Sequence, residues 1–168
     1  MTVQQPSSAF QSDAKTELLR LRSEFIDEFA RLETAVGRRL QKVRIPFEVR
    51  KYGFDQMVKK LADAKPSPTL SKANAADLRR LQKDCEPLQR LRASIVHGVM
   101  EIAKTTDGET LAIFRNAADV IDPTDECYAL TRDRLRQHID DLATIRRRVE
   151  GLTASSPPRP KPAAAAGP

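Results

Sequence analysis

Apolar residues recur at intervals of three and four through Leu18, Leu21, Phe25, Phe29, Leu32, Val36, Leu40 and Val43. That period lays one continuous stripe along a helix of about thirty residues, roughly 45 Å long. Ile26, Ala30 and Gly37 broaden the stripe. Ser12 or Asp13 offers the N-cap. Arg44-Ile45-Pro46 closes the helix, because Pro lacks a backbone donor and restricts the residue before it. A helix this long in a chain of 168 residues needs partners along its whole length, inside the subunit or across a dimer.

Phe54, Met57, Val58 and Leu61 mark a second, shorter helix that ends near Ala64, ahead of the loop signal Lys65-Pro66-Ser67-Pro68. A third helix starts between Ser71 and Asn74, with Leu78, Leu81, Cys85, Leu88, Leu91, Ile95 and Val99 on its buried face. Pro87 interrupts its backbone ladder, which predicts either a kink near Asp84 or two helices with Glu86-Pro87 opening the second. After Gly98 the period changes. Val99 to Lys104 and Glu109 to Arg115 read as two strands around Thr105-Thr106-Asp107-Gly108, and Asp-Gly favours the primed turns of a hairpin. A hairpin is preferred here to further helix, and it must lie against the helices to bury a face. Asp122-Pro123-Thr124-Asp125-Glu126 has the form of a helix start. Tyr128, Leu135, Ile139, Leu142, Ile145 and Val149 carry the last helix, which ends in Arg146-Arg147-Arg148 and stops at Gly151.

The pattern therefore predicts an all-α fold: an antiparallel bundle of four to five helices carrying a minor β-hairpin insert. Residues 1–11 read as a flexible arm, 12–152 as one helical domain, and 153–168, rich in Pro and Ala, as a disordered tail. Pro157 to Pro162 read as linker, with a short polyproline ligand as the alternative. No internal repeat is present.

Composition changes this picture little. The net charge of +6 favours polyanions weakly. Cys85 and Cys127 lack zinc-ligand spacing and read as two buried free thiols of a cytoplasmic protein. No signal peptide pattern opens the chain, and no window approaches the apolar length of a membrane span.

Several chemistries are missing from the sequence. It has no Gly-rich phosphate loop followed by Lys-Ser or Lys-Thr, no His-Glu-x-x-His, and no convincing metal-ligand cluster, so neither metal nor cofactor is expected. The conspicuous stretch is Leu88-Gln89-Arg90-Leu91-Arg92-Ala93-Ser94-Ile95-Val96-His97-Gly98. On an ideal helix Arg90 lies about 20° short of two full turns from His97 and shares its face. Arg92 lies about 140° away. Arg92 therefore meets a His97 most easily across an interface with a second subunit. A histidine moves protons near neutral pH, and an arginine holds a phosphate and stabilises growing negative charge. Together they suit cleavage of RNA by its own 2′-hydroxyl, with no metal. The bland reading of the same residues is a solvated arginine and a histidine at a helix end. His138 reads as a surface or edge histidine, and Arg146 to Arg148 as cations at a helix C-terminus, with RNA attraction as the alternative.

The segment Leu91-Arg92-Ala93-Ser94-Ile95-Val96-His97-Gly98 resembles the signature of the HEPN superfamily (higher eukaryote and prokaryote nucleotide-binding domains). Its ribonuclease members carry Arg, four to six residues, then His, commonly as Leu-Arg-Asn-x-Ile-Val-His-Gly. The resemblance covers roughly residues 15 to 150. It implies a homodimer in which two motifs form one cleft. Arg92 would bind phosphate and stabilise the transition state, and His97 would act as general acid or base. Glu33, midway along the first helix, would orient one of them or simply pair at the surface. On the helix itself Arg90, which shares the face of His97, and Ser94 are further supporting candidates. The resemblance also implies toxin or phage-defence roles, frequently with an antitoxin or other protein partner. The position after the arginine is often Asn, Asp or His in catalytic members and is Ala93 here. Other members have lost catalysis, so the alternative is a non-catalytic helical module for dimerisation or partner binding.

Overall fold

The structure is a computed structural model that describes residues 8–46, 52–64, 72–116 and 127–152. Its elements are α1 (Ser8–Lys42), α2 (Phe54–Ala62), α3 (Lys72–His97), β1 (Gly98–Lys104), β2 (Thr110–Asn116), β3 (Tyr128–Thr131) and α4 (Arg132–Gly151). The fold is mostly helical with one small antiparallel sheet. The expected disordered tail, the segments 1–7 and 65–71, and the cap signal at Asp122 lie outside the described residues.

The stripe on α1 does what its spacing requires. Leu18, Leu21, Phe25, Phe29, Leu32, Val36 and Leu40 are all buried, each stabilising by about 1.5–3 kcal/mol relative to exposure. α1 begins at Ser8, so the last residues of the expected arm are already helical. Its main partner is α4, and α2 packs mainly on α3. Ion pairs show the directions. Glu17 meets Arg136 and Glu28 meets Arg146, so α1 and α4 run parallel. Arg92 approaches Glu33 while Arg22 reaches Ile95, so α3 is antiparallel to α1. The antiparallel expectation therefore holds for α3 against α1 but not for α1 against α4. The physical reason is the sheet, which turns the chain around between α3 and α4.

α1 ends in a tight C-terminal motif. Ile45 N–H donates to the Leu40 carbonyl at 3.0 Å and Arg44 N–H to that of Gln41 at 3.0 Å. Arg44 takes the left-handed conformation, φ 57°, in the place usually held by Gly, and Pro46 follows. An L-residue there is strained by about 1–2 kcal/mol, partly offset by the extra unfolded-state entropy of Gly. Arg44→Gly should therefore stabilise the fold by about 0.5–1 kcal/mol, read as a higher thermal midpoint; an unchanged or lower midpoint contradicts the strain.

α3 runs unbroken through Pro87, so the two-helix alternative does not hold. The hairpin is present, but with differences. Gly108 N–H donates to the Thr105 carbonyl at 3.0 Å, and Gly108 has φ 84°. Asp107 does not have positive φ, so the turn is an ordinary one closed by a left-handed glycine rather than a primed turn. The Thr105 hydroxyl accepts from Glu109 N–H at 3.0 Å and supports the longer loop. A third strand extends the sheet in the order β1-β2-β3, with Phe114 opposite Tyr128 and Ala112 opposite Leu130. Tyr128 is thus strand, not helix. α4 begins at Arg132, where the Thr131 hydroxyl accepts from Arg134 N–H at 3.2 Å. Alternation puts Ala112, Phe114 and Leu130 into the core.

Only one of the two thiols is buried. Cys85 sits in the core, whereas Cys127 is exposed just ahead of β3, because the helix expected to cover it begins later. Burial, aided by the charge of Asp84, pushes the Cys85 thiol up to about 12. The thiolate is the reactive form. A thiol reagent at neutral pH should therefore modify Cys127 alone in the folded protein and both cysteines in denaturant. Rapid labelling of two thiols in the native state would contradict this burial.

Among the described residues no helix is long and apolar enough to cross a membrane.

Candidate functional site

The last turns of α3 sort their side chains by face. Leu88, Leu91 and Ile95 are buried and fix the helix on the core, and Ser94 is buried with them. Arg90 and His97 are exposed, and Arg92 is half-buried. Two contacts hold the end of this helix. Arg22 of α1 donates to the Ile95 carbonyl from Nε at 3.1 Å and from Nη2 at 2.8 Å, satisfying a C-terminal carbonyl that has no helical partner. Gly98 then starts β1 with no connector. A Cβ there would lie 2.2 Å from the Ser94 carbonyl oxygen and 2.7 Å from that of Arg115. His97 is therefore carried on a stiff helix-strand junction. Its ring makes no hydrogen bond or ion pair with another described residue.

Arg92 points toward α1. Its Nη2 lies 3.8 Å from Glu33 Oε1, and its guanidinium carbon stands 5.1 Å from the centre of the Phe29 ring. The separation from Glu33 is an ion pair rather than a hydrogen bond, so the guanidinium is oriented while its N–H donors remain available. The side chain is 37% exposed. Arg92 and Glu33 both line a groove of about 860 Å³ between α1, α2 and α3.

The structure thus brings Arg92 and Glu33 together and leaves His97 apart. α3 is one continuous helix, so His97 stands about 7.5 Å further along and about 140° round from Arg92. Arg90 is engaged with Glu86 at 2.8 Å. It lines a separate concavity that includes Tyr128 and His138. Ser94 is buried and faces no accessible surface.

The remaining sequence candidates have structural work. Arg146 donates from Nε to Glu28 at 2.5 Å and also pairs with Glu150, tying α4 to α1. Arg148 donates to Asp84 at 2.6 Å, tying α4 to α3. Arg147 bonds the Ala143 carbonyl and the Thr144 hydroxyl within its own helix. This run is therefore a set of helix clamps rather than a free basic patch. His138 is half-buried, at the edge rather than on the open surface. Burial lowers its pKa, against the opposing pull of Asp141 4.0 Å away and with Arg134 adding to the shift.

Sequence reasoning missed Arg22, whose partner is 73 residues away. It also missed the groove residues Arg38, Gln41, Tyr52 and Gln89. The α1 members repeat at helical spacing from Ala30 to Gln41, on a polar face that has no motif. Among the described residues no group of three or more His, Cys, Asp or Glu is placed to hold a metal ion.

No family model, curated protein or solved structure matches the chain.

Proposed function

We propose that the chain is a HEPN-type RNA endonuclease that needs no metal, in which two copies build one cleft from Arg92 and His97. The observation that carries this reading is His97 itself. It is exposed, free of described partners and held on a rigid junction by Arg22 and Gly98. A histidine that only capped its own helix would be bonded to the nearby backbone.

The chemistry follows from the side chains. His97 of one copy takes the proton of a ribose 2′-hydroxyl, whose oxygen attacks the adjacent phosphorus. The bond to the 5′-oxygen breaks, and that oxygen takes a proton from water, to which His97 gives back the one it accepted. The products are a 2′,3′-cyclic phosphate and a 5′-hydroxyl. Arg92 of the other copy stabilises the charge that grows on the phosphoryl oxygens. Glu33 and Phe29 hold its guanidinium in place. Toxin or defence roles, with a protein partner that restrains the nuclease, fit such an activity.

The angle between Arg92 and His97 gives a direct test. Arg92→Ala and His97→Ala chains should each be inactive as homodimers. Mixed and allowed to exchange, they should recover a substantial fraction of wild-type cleavage, because the heterodimer regains one Arg92 facing one His97. No recovery, with heterodimers demonstrated, would rule out a site shared between copies.

A second reading is a non-catalytic module for dimerisation or partner binding. It is favoured by Ala93, which offers no polar group beside Arg92.

A further inference from the structure

The groove beside Arg92 extends well past the residues that cleavage requires. α1 presents Ala30, Glu33, Thr34, Gly37, Arg38 and Gln41 to it, positions that recur at three and four and so form one face. Two of these are small, Ala30 and Gly37, which leaves the floor hollow. Gly37 sits inside a helix, where Gly is unfavourable relative to Ala, so its presence on this face is not explained by helix stability. The volume, about 860 Å³, is in the range of small-molecule and nucleotide sites.

Three features of the lining suit a nucleotide. Arg38 is exposed and makes no ion pair or hydrogen bond with another described residue. Of the two arginines in the groove, Arg92 is matched by Glu33 and Arg38 is not. The other acid, Asp55, lies in the first turn of α2, where the helix dipole favours it. Tyr52 supplies an aromatic ring, half-buried, with Lys60 Nζ 4.5 Å from its centre. Gln41 and Gln89 add amides that both donate and accept, as recognition of a base edge requires. A cation for phosphate, a ring for stacking and paired amides are what single-stranded nucleic acid sites combine.

We propose that this groove is a strand-holding subsite for single-stranded RNA. It receives the nucleotide beside the scissile phosphate, with a phosphate on Arg38 and a base against Tyr52. The inference rests on the RNA-cleavage reading and names how that site holds its substrate. Arg38 and Tyr52 act in binding, and Arg92 joins the groove to the reacting phosphate.

The test uses the full chain and two forms of one single-stranded oligoribonucleotide. One is fully 2′-O-methylated, so that it binds without being cut, and the other is unmodified. Wild type is compared with Arg38→Ala, Tyr52→Leu and Tyr52→Phe, each checked for thermal stability. Arg38 is exposed, so its variant should fold normally. Arg38→Ala and Tyr52→Leu should weaken binding of the methylated strand about tenfold, and the salt dependence of binding should fall by about one phosphate contact for Arg38→Ala. The loss on the unmodified strand should appear in KM. Tyr52→Phe, which keeps the ring, should bind like wild type. Unchanged affinity and KM in Arg38→Ala and Tyr52→Leu, with a cleaving wild type, would overturn the subsite and leave the nuclease reading standing. Binding without cleavage, lost in these variants, would support the subsite and remove the nuclease. A wild type that neither binds nor cuts RNA, including one that takes an acidic peptide in this groove instead, would overturn both.

Discussion

Gly98→Ala should destabilise the folded chain by about 3 kcal/mol, at the upper end of what overpacking costs. The added methyl carbon would sit 2.2 Å from the Ser94 carbonyl oxygen and 2.7 Å from that of Arg115. Both atoms are backbone. One belongs to the last turn of α3 and the other to β2, the strand paired with β1. No side chain can rotate away to make room, so the helix end must move off the sheet. Ile95 would move with it, although its side chain is fully buried and its carbonyl is bonded to Arg22. The thermal midpoint should fall by on the order of 10 °C. Gly151→Ala is the control. Its Cβ meets nothing within 4 Å at the end of α4, so that variant should be neutral or slightly more stable. Equal stability of Gly98→Ala and wild type would contradict the close approach of α3 to β2.

His97→Ala should abolish RNA cleavage, with a loss between about a hundredfold and ten-thousandfold, the range for removing a general acid or base. Arg92→Ala should lose about a hundredfold or more, as expected for a donor that stabilises transition-state charge. Arg92→Lys should restore little, because an ammonium lacks the planar fork of donors and the stacking on Phe29. Neither residue is a core residue, although the Arg92 guanidinium packs over Phe29. His97 is exposed and Arg92 is 37% exposed, so His97→Ala should change stability by no more than about 0.5 kcal/mol. The expected signature is therefore a folded, inactive protein. Glu33→Gln separates positioning from chemistry. At 3.8 Å and with both side chains about a third exposed, the Glu33–Arg92 pair is worth under about 1 kcal/mol. Its loss should cost no more than about fivefold, mostly by loosening Arg92.

How much of this was legible in the sequence depends on how local each cause is. The stripe from Leu18 to Leu40 is legible because burial follows directly from spacing along one helix. The cap at Thr131 was not. Asp122-Pro123 offers a stronger local start signal, while Tyr128 to Thr131 become a strand by pairing with Leu111 to Phe114, a contact that no window around residue 128 contains. The Asp-Gly turn was found but its geometry was not, because the extra residue Glu109 lets Gly108 alone carry the positive φ.

The site divides the same way. Face arithmetic on α3 placed Arg90 with His97 and Arg92 away from both, and a continuous helix through Pro87 makes that arithmetic apply. The resemblance implies an acid near the motif at Glu33, and the packing of α1 on α3 sets it 3.8 Å from Arg92. Arg22 left no local trace, since its bonds to Ile95 exist only once α1 and α3 pack together, and the groove that Arg38 and Tyr52 line exists only once α1, α2 and α3 are assembled. In one dimension the run at Arg146 to Arg148 reads as cations at a helix C-terminus, with RNA attraction as the alternative. In three it is two inter-helix clamps and a helix-surface cation.

The measurement that bears most directly on the central claim is cleavage of labelled single-stranded and structured RNA by the purified wild-type chain in EDTA, at concentrations where its oligomeric state has been measured. The products are analysed for end groups. The account predicts metal-independent cutting by a dimer, 2′,3′-cyclic phosphate and 5′-hydroxyl ends, and no cutting by folded His97→Ala or Arg92→Ala. Cutting that persists in either variant, or a dimeric wild type that cuts no RNA, would contradict it and leave the chain as a binding module.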